Sequence, residues 1–331
     1  MLDFLDGEAR DGHVELARNE WHQDRTPTRH SEYVREVLDS SWARSSVRVP
    51  ALRDASGAVV ASLTLYDLAW RLGSRRLRLG GIGTLVVRPD LRKLGLGTRL
   101  LKAVHHHLVQ QGFDGAVLFS GIGREFYERL GYAELPVGNI DVDCTDWEDD
   151  VARRGLPAVT LRDYEPDDFD AVRELYNHSS SLQKLAVLRP EDYWQHRLGA
   201  LALRDEHFSD GPERHRVLVA EIEGEVTGYL IARLRPLHQE LTVLEYGFRP
   251  EAPEHLTALV AALLGELDGE RREAPRVRGV VPSRFGNLCP QGDVRWRPER
   301  DTRLMLASFS DFLVPAECGP DDRHVWGSDR F

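Results

Sequence analysis

The sequence predicts an α/β (α+β) protein built from two successive units, and three observations carry that prediction. The chain has 331 residues, a length that fits two domains better than one. In VVRPDLRKLGLGTRLLKAV, Val86–Val104, an apolar run stops at Pro89, crosses a basic loop with two glycines and resumes as an amphipathic helix. The order of hairpin, strand, proline and helix around that stretch recurs in the second half, with Gly57 matching Gly224 and Pro89 matching Pro250.

Glu32 to Ala43 opens the first unit, with Tyr33, Val34, Val37, Leu38 and Trp42 at helical spacing. Two β-rich runs, Val47–Arg53 and Ala58–Trp70, flank DASG, a turn signal ending at Gly57. Leu77–Val87 is a third strand leading into the glycine loop. The helix Thr98–Gln111 then sets Leu100, Leu101, Val104, Leu108 and Val109 on one face. GAVLFS, 115–120, reads as a buried strand, and REFYERLGY as a short helix closed by Gly131.

Residues 146–157 are charged, end in Gly-Leu-Pro and read as a linker. The expected divisions are therefore 1–150, 158–310 and a tail, 311–331. In the second unit AVTLRDYEPDDFDAVRELYN is a strand, a break and a helix from about Pro166, and YWQHRLGALAL is another helix. HRVLVAEIEGEVTGYLIARL is a hairpin turning at Glu223-Gly224, and LTVLEYGFRPEAPEHLTALVAALLGEL repeats strand, proline, helix.

Composition excludes several classes. Hydrophobic content of 41% and charged content of 29% are those of a globular domain. The acidic N-terminus has no basic segment followed by an apolar core, and no uncharged apolar run reaches about 18 residues. The expectation is a cytoplasmic protein that does not enter a membrane. Cys144, Cys289 and Cys318 are distant and not in CxxC spacing, so neither a disulfide framework nor a cysteine metal site is expected. His105, His106 and His107 point in different directions on a helix, which argues against shared metal ligation. The net charge of −11 disfavours nucleic acid and suits either plain solubility or a cationic substrate.

The glycine loop fits neither of two common phosphate motifs. A dinucleotide fingerprint needs a third glycine where Leu100 stands, and no GxxxxGK[ST] string occurs. GGIGTLV upstream also fails the fingerprint at Val86, and its glycines read as strand irregularities. What remains is V-x-P-x-x-R-x-x-G-x-G, formed by Val87, Pro89, Arg92, Gly95 and Gly97. At the same offsets after Pro250 stand Pro253, Leu256 and Ala258, which remove a donor and add side chains where phosphate would sit. One active and one degenerate copy are expected.

This motif resembles the pyrophosphate loop, [RQ]xxGx[GA], of the GNAT superfamily of acyl-CoA-dependent N-acyltransferases. FYERLGY, Phe126 to Tyr132, is similar to that family's second motif at a suitable distance, although Ser120 replaces its usual Asn and Gly123 its usual Ala. The tandem arrangement, the LYDLAWRLGSRRLRLGGIGTLVV hairpin and the run LRPEDYWQHRL resemble the first two domains of Eis-like (enhanced intracellular survival) acetyltransferases, over roughly residues 20–310.

The resemblance implies two GNAT-like sheets, each mixed and mostly antiparallel and flanked by helices, with acetyl-CoA as co-substrate and no metal. It implies that the strand Leu85, Val86, Val87 splays from its neighbour, and that the Val87 amide holds the oxyanion. Arg92 and the backbone donors of Lys93, Leu94, Gly95, Leu96, Gly97 and Thr98 would surround the pyrophosphate. Ser120 retains a hydroxyl for CoA. Tyr127 matches the family's general acid, the alternative being a packing aromatic. No Asp or Glu occurs between Arg75 and Val87 to serve as base. His22, Asp24, Glu36, Asp67 and the terminal carboxylate of Phe331 are candidates, and the base stays open. The implied activity is acetyl transfer to a primary amine of a small cationic molecule. A protein or peptide N-acetyltransferase and a non-enzymatic acyl-CoA-binding module are the alternatives. The second unit would shape the acceptor groove or a homo-oligomer interface.

Overall fold

The computed structural model describes residues 2–21, 27–135, 139–144, 147–155, 159–209, 211–252, 254–267, 275–280, 303–310 and 323–325. The first half runs β1 (Asp3–Leu5), α1 (Asp11–Trp21), α2 (Pro27–Leu38), α3 (Ser41–Ser46), β2 (Val47–Arg53), β3 (Val59–Leu72), β4 (Arg75–Val87), α4 (Leu96–Gln110), β5 (Gly115–Ser120), α5 (Arg124–Glu128), β6 (Ala133–Glu134) and β7 (Asn139–Asp143). The second half runs α6 (Trp147–Arg154), β8 (Thr160–Asp163), α7 (Phe169–Ser181), β9 (Leu185–Leu188), α8 (Glu191–His207), β10 (Arg214–Ile222), β11 (Glu225–Arg235), β12 (Glu240–Phe248), α9 (Glu254–Glu266), β13 (Arg276–Val280), β14 (Arg303–Ser308) and β15 (Arg323–His324).

Among the described residues these strands form two mixed sheets. The first has the order β1-β2-β3-β4-β5-β14-β6, with β9 added to the outer part of β3 and β15 to β9; the second has the order β7-β13-β12-β11-β10-β8. Within each, antiparallel hairpins lead to one internal parallel pairing, β4 with β5 and β12 with β13.

The sheets do not follow the chain divisions at 150, 158 and 310. β7 lies N-terminal to the expected linker yet pairs with β13, whereas β9 and β14 lie beyond it and join the first sheet. β5 and β13 each present an open edge at the same stage of their sheet, and an antiparallel strand from either half satisfies it. Such pairing is non-local and leaves no trace in local patterning. Residues 147–154 of the expected linker are helical, because Trp147 packs on the second core and anchors α6 beside α9. Of the tail, only 323–325 are described, with Arg323 and His324 pairing beside β9. The single helix expected at 32–43 is two helices broken at Asp39-Ser40, where Ser40 Oγ accepts from the Ala43 N–H and caps α3.

α4 covers one face of the first sheet and buries Leu100, Leu101, Val104 and Leu108 against Leu63, Leu65 and Leu118. Each such side chain contributes about 1.5–3 kcal/mol. The approach is close: a Cβ on Gly80 would fall 2.6 Å from Leu108 Cδ1. The opposite face packs Tyr66, Leu68, Trp70 and Leu79 against α2, α3 and Tyr193 of α8. The second sheet has its own core, around α7 and α9.

Candidate active site

The parallel pairing of β4 with β5 ends at Ile82 opposite Leu118. β5 continues to Ser120 by pairing with Leu304 and Arg303 of β14, and β4 continues to Val87 by pairing with β3. From Gly83 onward the two strands therefore diverge. Thr84, at φ 46°, lies in the left-handed region, and the β3–β4 register shifts between Ser62 and Thr64 at this point. A bulge of this kind re-aims a strand, and it falls in the glycine-rich stretch that read as irregular.

Backbone alternation fixes where the free donors face. The Arg88 N–H donates to the Val60 carbonyl of β3 at 2.9 Å. In an antiparallel ladder the neighbouring peptide points the other way, so the Leu85 and Val87 N–H groups turn away from β3 into the divergence. No β5 residue stands opposite them. Val86 points to the other face and is buried opposite Ser62. Arg92 Nε donates to the Val87 carbonyl at 3.3 Å and braces the end of the strand.

The loop then builds an anion cradle. Lys93 and Gly95 both adopt left-handed backbone, at φ 63° and 79°. Gly95 is the N-cap of α4 and offers no side-chain cap. None of the amides from Lys93 to Thr98 donates to a backbone carbonyl, the first bond of the helix being Arg99 N–H to the Gly95 carbonyl at 2.9 Å. These donors and the positive end of the helix dipole open on one place. Gly97 needs no special backbone, and a Cβ there would make only ordinary contacts, at 3.7 Å to Val87 and 3.8 Å to Phe126. Packing therefore does not require this glycine. Leu94 is 69% exposed beside it.

Tyr127, on α5, packs edge-on against Phe126 and Tyr132, with ring centroids at 4.9 and 5.7 Å. Its hydroxyl has no hydrogen-bond partner among the described residues, and burial pushes its pKa up to about 12. It is thus a neutral phenol throughout the physiological range with its proton uncommitted. Ser120 differs: it is buried and its hydroxyl donates to the Ile122 carbonyl, so toward a ligand it offers only lone pairs.

Two candidate bases are engaged elsewhere. Glu36 lies 3.1 Å from His207 Nε2, and Asp67 pairs with Arg78. His22, Asp24 and Phe331 lie outside the described residues. The structure adds three residues that the motifs do not name: Arg88 pairs with Asp54 and Asp90, at 3.2 and 2.8 Å. Their spacing carries no signal in the sequence. Of the histidine triplet, His105 bonds Tyr132 at 2.8 Å and His107 packs on Phe4. No group of metal-ligating side chains occurs among the described residues, and no helix among them is long and apolar enough to cross a membrane.

The second sheet repeats the divergence without the cradle. Pairing of β12 with β13 ends at Val243 opposite Gly279, as β4–β5 pairing does at Ile82. Leu256 and Ala258, at the positions of the two glycines, are buried at 0% and 1% exposure. Pro253 lies outside the described residues.

Residues 5–135 match the family model described as an acetyltransferase (GNAT) domain. Across 92% of its length the chain is similar to a conserved protein of unknown function from Enterococcus faecalis V583, a probable N-acyltransferase (14% identity, 72% of that chain, TM-score 0.67). It is similar over the same share to a GCN5-related N-acetyltransferase from Kribbella flavida (19% identity, 71% of that chain, TM-score 0.59). A third similar structure is Saccharomyces cerevisiae N-myristoyltransferase with bound myristoyl-CoA (14% identity, 92% of this chain and 82% of that one, TM-score 0.55). No curated protein matches the sequence. Residues 5–135 are thus similar to a GNAT acetyltransferase domain, and the chain as a whole shares its fold with these solved structures.

Proposed function

We propose that the chain is an acetyl-CoA-dependent N-acetyltransferase that acts on a primary amine of a small cationic molecule, with the tandem organisation of Eis-like enzymes and a cytoplasmic location. The observation that carries the reading is the uncapped start of α4: six consecutive amides, Lys93 to Thr98, without backbone partners, beside a diverging strand whose Val87 N–H is free.

In this reading the cradle holds the CoA pyrophosphate and the thioester lies in the divergence. The amine lone pair attacks the thioester carbon, and the developing oxyanion is held by the Val87 N–H. Collapse breaks the C–S bond. Tyr127, neutral at every physiological pH, donates its proton toward the departing sulfur. The proton lost by the amine passes to water, and solvent returns one to the Tyr127 phenolate, which closes the cycle. The net negative charge of the chain, −11, favours a cationic acceptor.

Calorimetric titration with acetyl-CoA tests the assignment, followed by a screen of amines for CoA release. One site per chain, lost in Gly97→Asp, is expected. Absence of binding would sink the reading, and two sites would overturn the degenerate assignment of the second unit.

A further inference from the structure

A second concentration of polar side chains lies in the second sheet, at the opposite end of β12 from the divergence. Arg204 of α8 and Arg233 and Arg235 of β11 converge on one carboxylate, Glu213, just ahead of β10. Arg204 Nη2 bonds Glu213 Oε1; Arg235 Nε and Arg233 Nη1 lie 3.2 and 3.8 Å from Oε2. The next carboxylate, Glu240, lies 3.8 Å from Arg235, but Arg278 claims it at 2.7 Å. Asp205, next to Arg204, is held by His215 at 2.8 Å. Three guanidinium groups thus crowd Glu213, with Glu240 a more distant second carboxylate that Arg278 also holds, in a chain whose overall balance is acidic.

Their hydrogen bonding is incomplete. Beyond Glu213, Arg233 makes one long bond, Nη2 to Thr242 Oγ1 at 3.3 Å. The Nε atoms of Arg204 and Arg233 are buried with no partner. A buried donor left unpaired is costly. Yet the side chains are not sealed, since Arg204, Arg233 and Arg235 are 25%, 26% and 35% exposed. We propose that this cluster is an anion site for a phosphate-type oxyanion, held by the guanidinium forks of Arg204, Arg233 and Arg235 and distinct from the cradle of the first sheet.

The electrostatics agree with that geometry. Burial, together with Arg235 and Arg204 nearby, pulls Arg233 below the usual arginine value despite Glu213. Burial pushes Glu213 up, but the three arginines overcome it and hold the carboxyl at about 2. Glu240 also acts on Arg233, but more weakly than the burial and the neighbouring arginines that oppose it. Planar guanidinium groups match the spacing of phosphate oxygens, and charge-assisted bonds of this kind are about twice as strong as neutral ones.

The test titrates the full chain, saturated with CoA so that the first-sheet cradle is filled, with inorganic phosphate against chloride at matched ionic strength. Binding of one phosphate per chain is expected, read by calorimetry and as a rise in Tm. Arg233→Gln should weaken it about tenfold while CoA binding is unchanged. Glu213→Gln should strengthen phosphate binding, because it removes the competing internal anion; a purely structural network would show no such gain. Should CoA not bind, the Gly97→Asp chain serves as the background, so failure of the acyltransferase reading leaves this test standing. A phosphate response equal to that of chloride, or one insensitive to both Arg233→Gln and Glu213→Gln, overturns the proposal.

Discussion

Arg189 and Glu245 form an ion pair at 2.8 Å with side chains 1% and 0% exposed. Arg189 directly follows β9, a strand of the first sheet, and Glu245 belongs to β12 of the second. The guanidinium lies over the rings of Tyr176 and Trp194, at 4.1 and 4.6 Å, and the Tyr229 hydroxyl donates to the same carboxylate oxygen at 2.7 Å. The pair is a buried tie between the two sheets.

Removing one partner leaves the other charged and buried. Glu245→Gln or Arg189→Met should therefore destabilise the protein by about 3–5 kcal/mol. The double variant Arg189→Met/Glu245→Leu should recover much of that loss. Urea denaturation of the three variants checks this, and a double variant no better than the singles would contradict it.

Tyr127→Phe should lower kcat about a hundredfold or more, with the KM for acetyl-CoA little changed. The hydroxyl has no partner among the described residues to strand, so stability should hold. Because burial raises this phenol to about 12, its ionisation should impose no alkaline limb on the rate up to about pH 10. A wild-type kcat that Tyr127→Phe leaves unchanged would refute the assignment of this acid, whereas a limb near pH 9 that vanishes in the variant would refute only its raised pKa.

Gly97→Asp should abolish acetyl-CoA binding without loss of fold. The added Cβ meets only ordinary contacts with Val87 and Phe126, so the expected damage is to the ligand, through crowding and like charge. Circular dichroism and Tm should match wild type while the calorimetric signal disappears. A large drop in Tm would show that this glycine serves packing after all.

Acid should weaken the fold earlier than carboxylate protonation alone would. Burial pushes His13, His105 and His196 each down to about 4 from the ordinary 6.5. Between those values the unfolded chain takes up protons that the folded one refuses, so stability present above pH 6.5 is lost as pH falls toward 4. At pH 5 the loss is about 2 kcal/mol at most for His13, and less for the other two, which solvent partly screens. Denaturation midpoints between pH 7 and 5 measure it, and His13→Asn should flatten the dependence.

Much of the first sheet was legible because its signals are local. Val47–Arg53 and Gly115–Ser120 are strands over the expected residues, the Glu223-Gly224 turn has φ of 50° and 84°, and the helix after Gly95 starts within two residues of its expected place. The cradle could be read because it depends on residue types at fixed offsets. What escaped is non-local: α1, whose pattern is weak; β9, a short strand completed by the edge of β3; and the exchange of β7 and β14. The uncommitted Tyr127 proton and the committed Ser120 hydroxyl were also invisible, since a motif names a side chain and not its hydrogen-bond partners.

The position of β14 bears on how the chain comes off the ribosome. When residue 135 has emerged, β5 still has an open edge and Ser120 lacks the strand that holds it, because Arg303 and Leu304 are not yet made. The acetyltransferase half must wait, part-built, through the synthesis of the other sheet. A gene cut after residue 150 should thus yield insoluble product, whereas co-expression with the remainder should restore it.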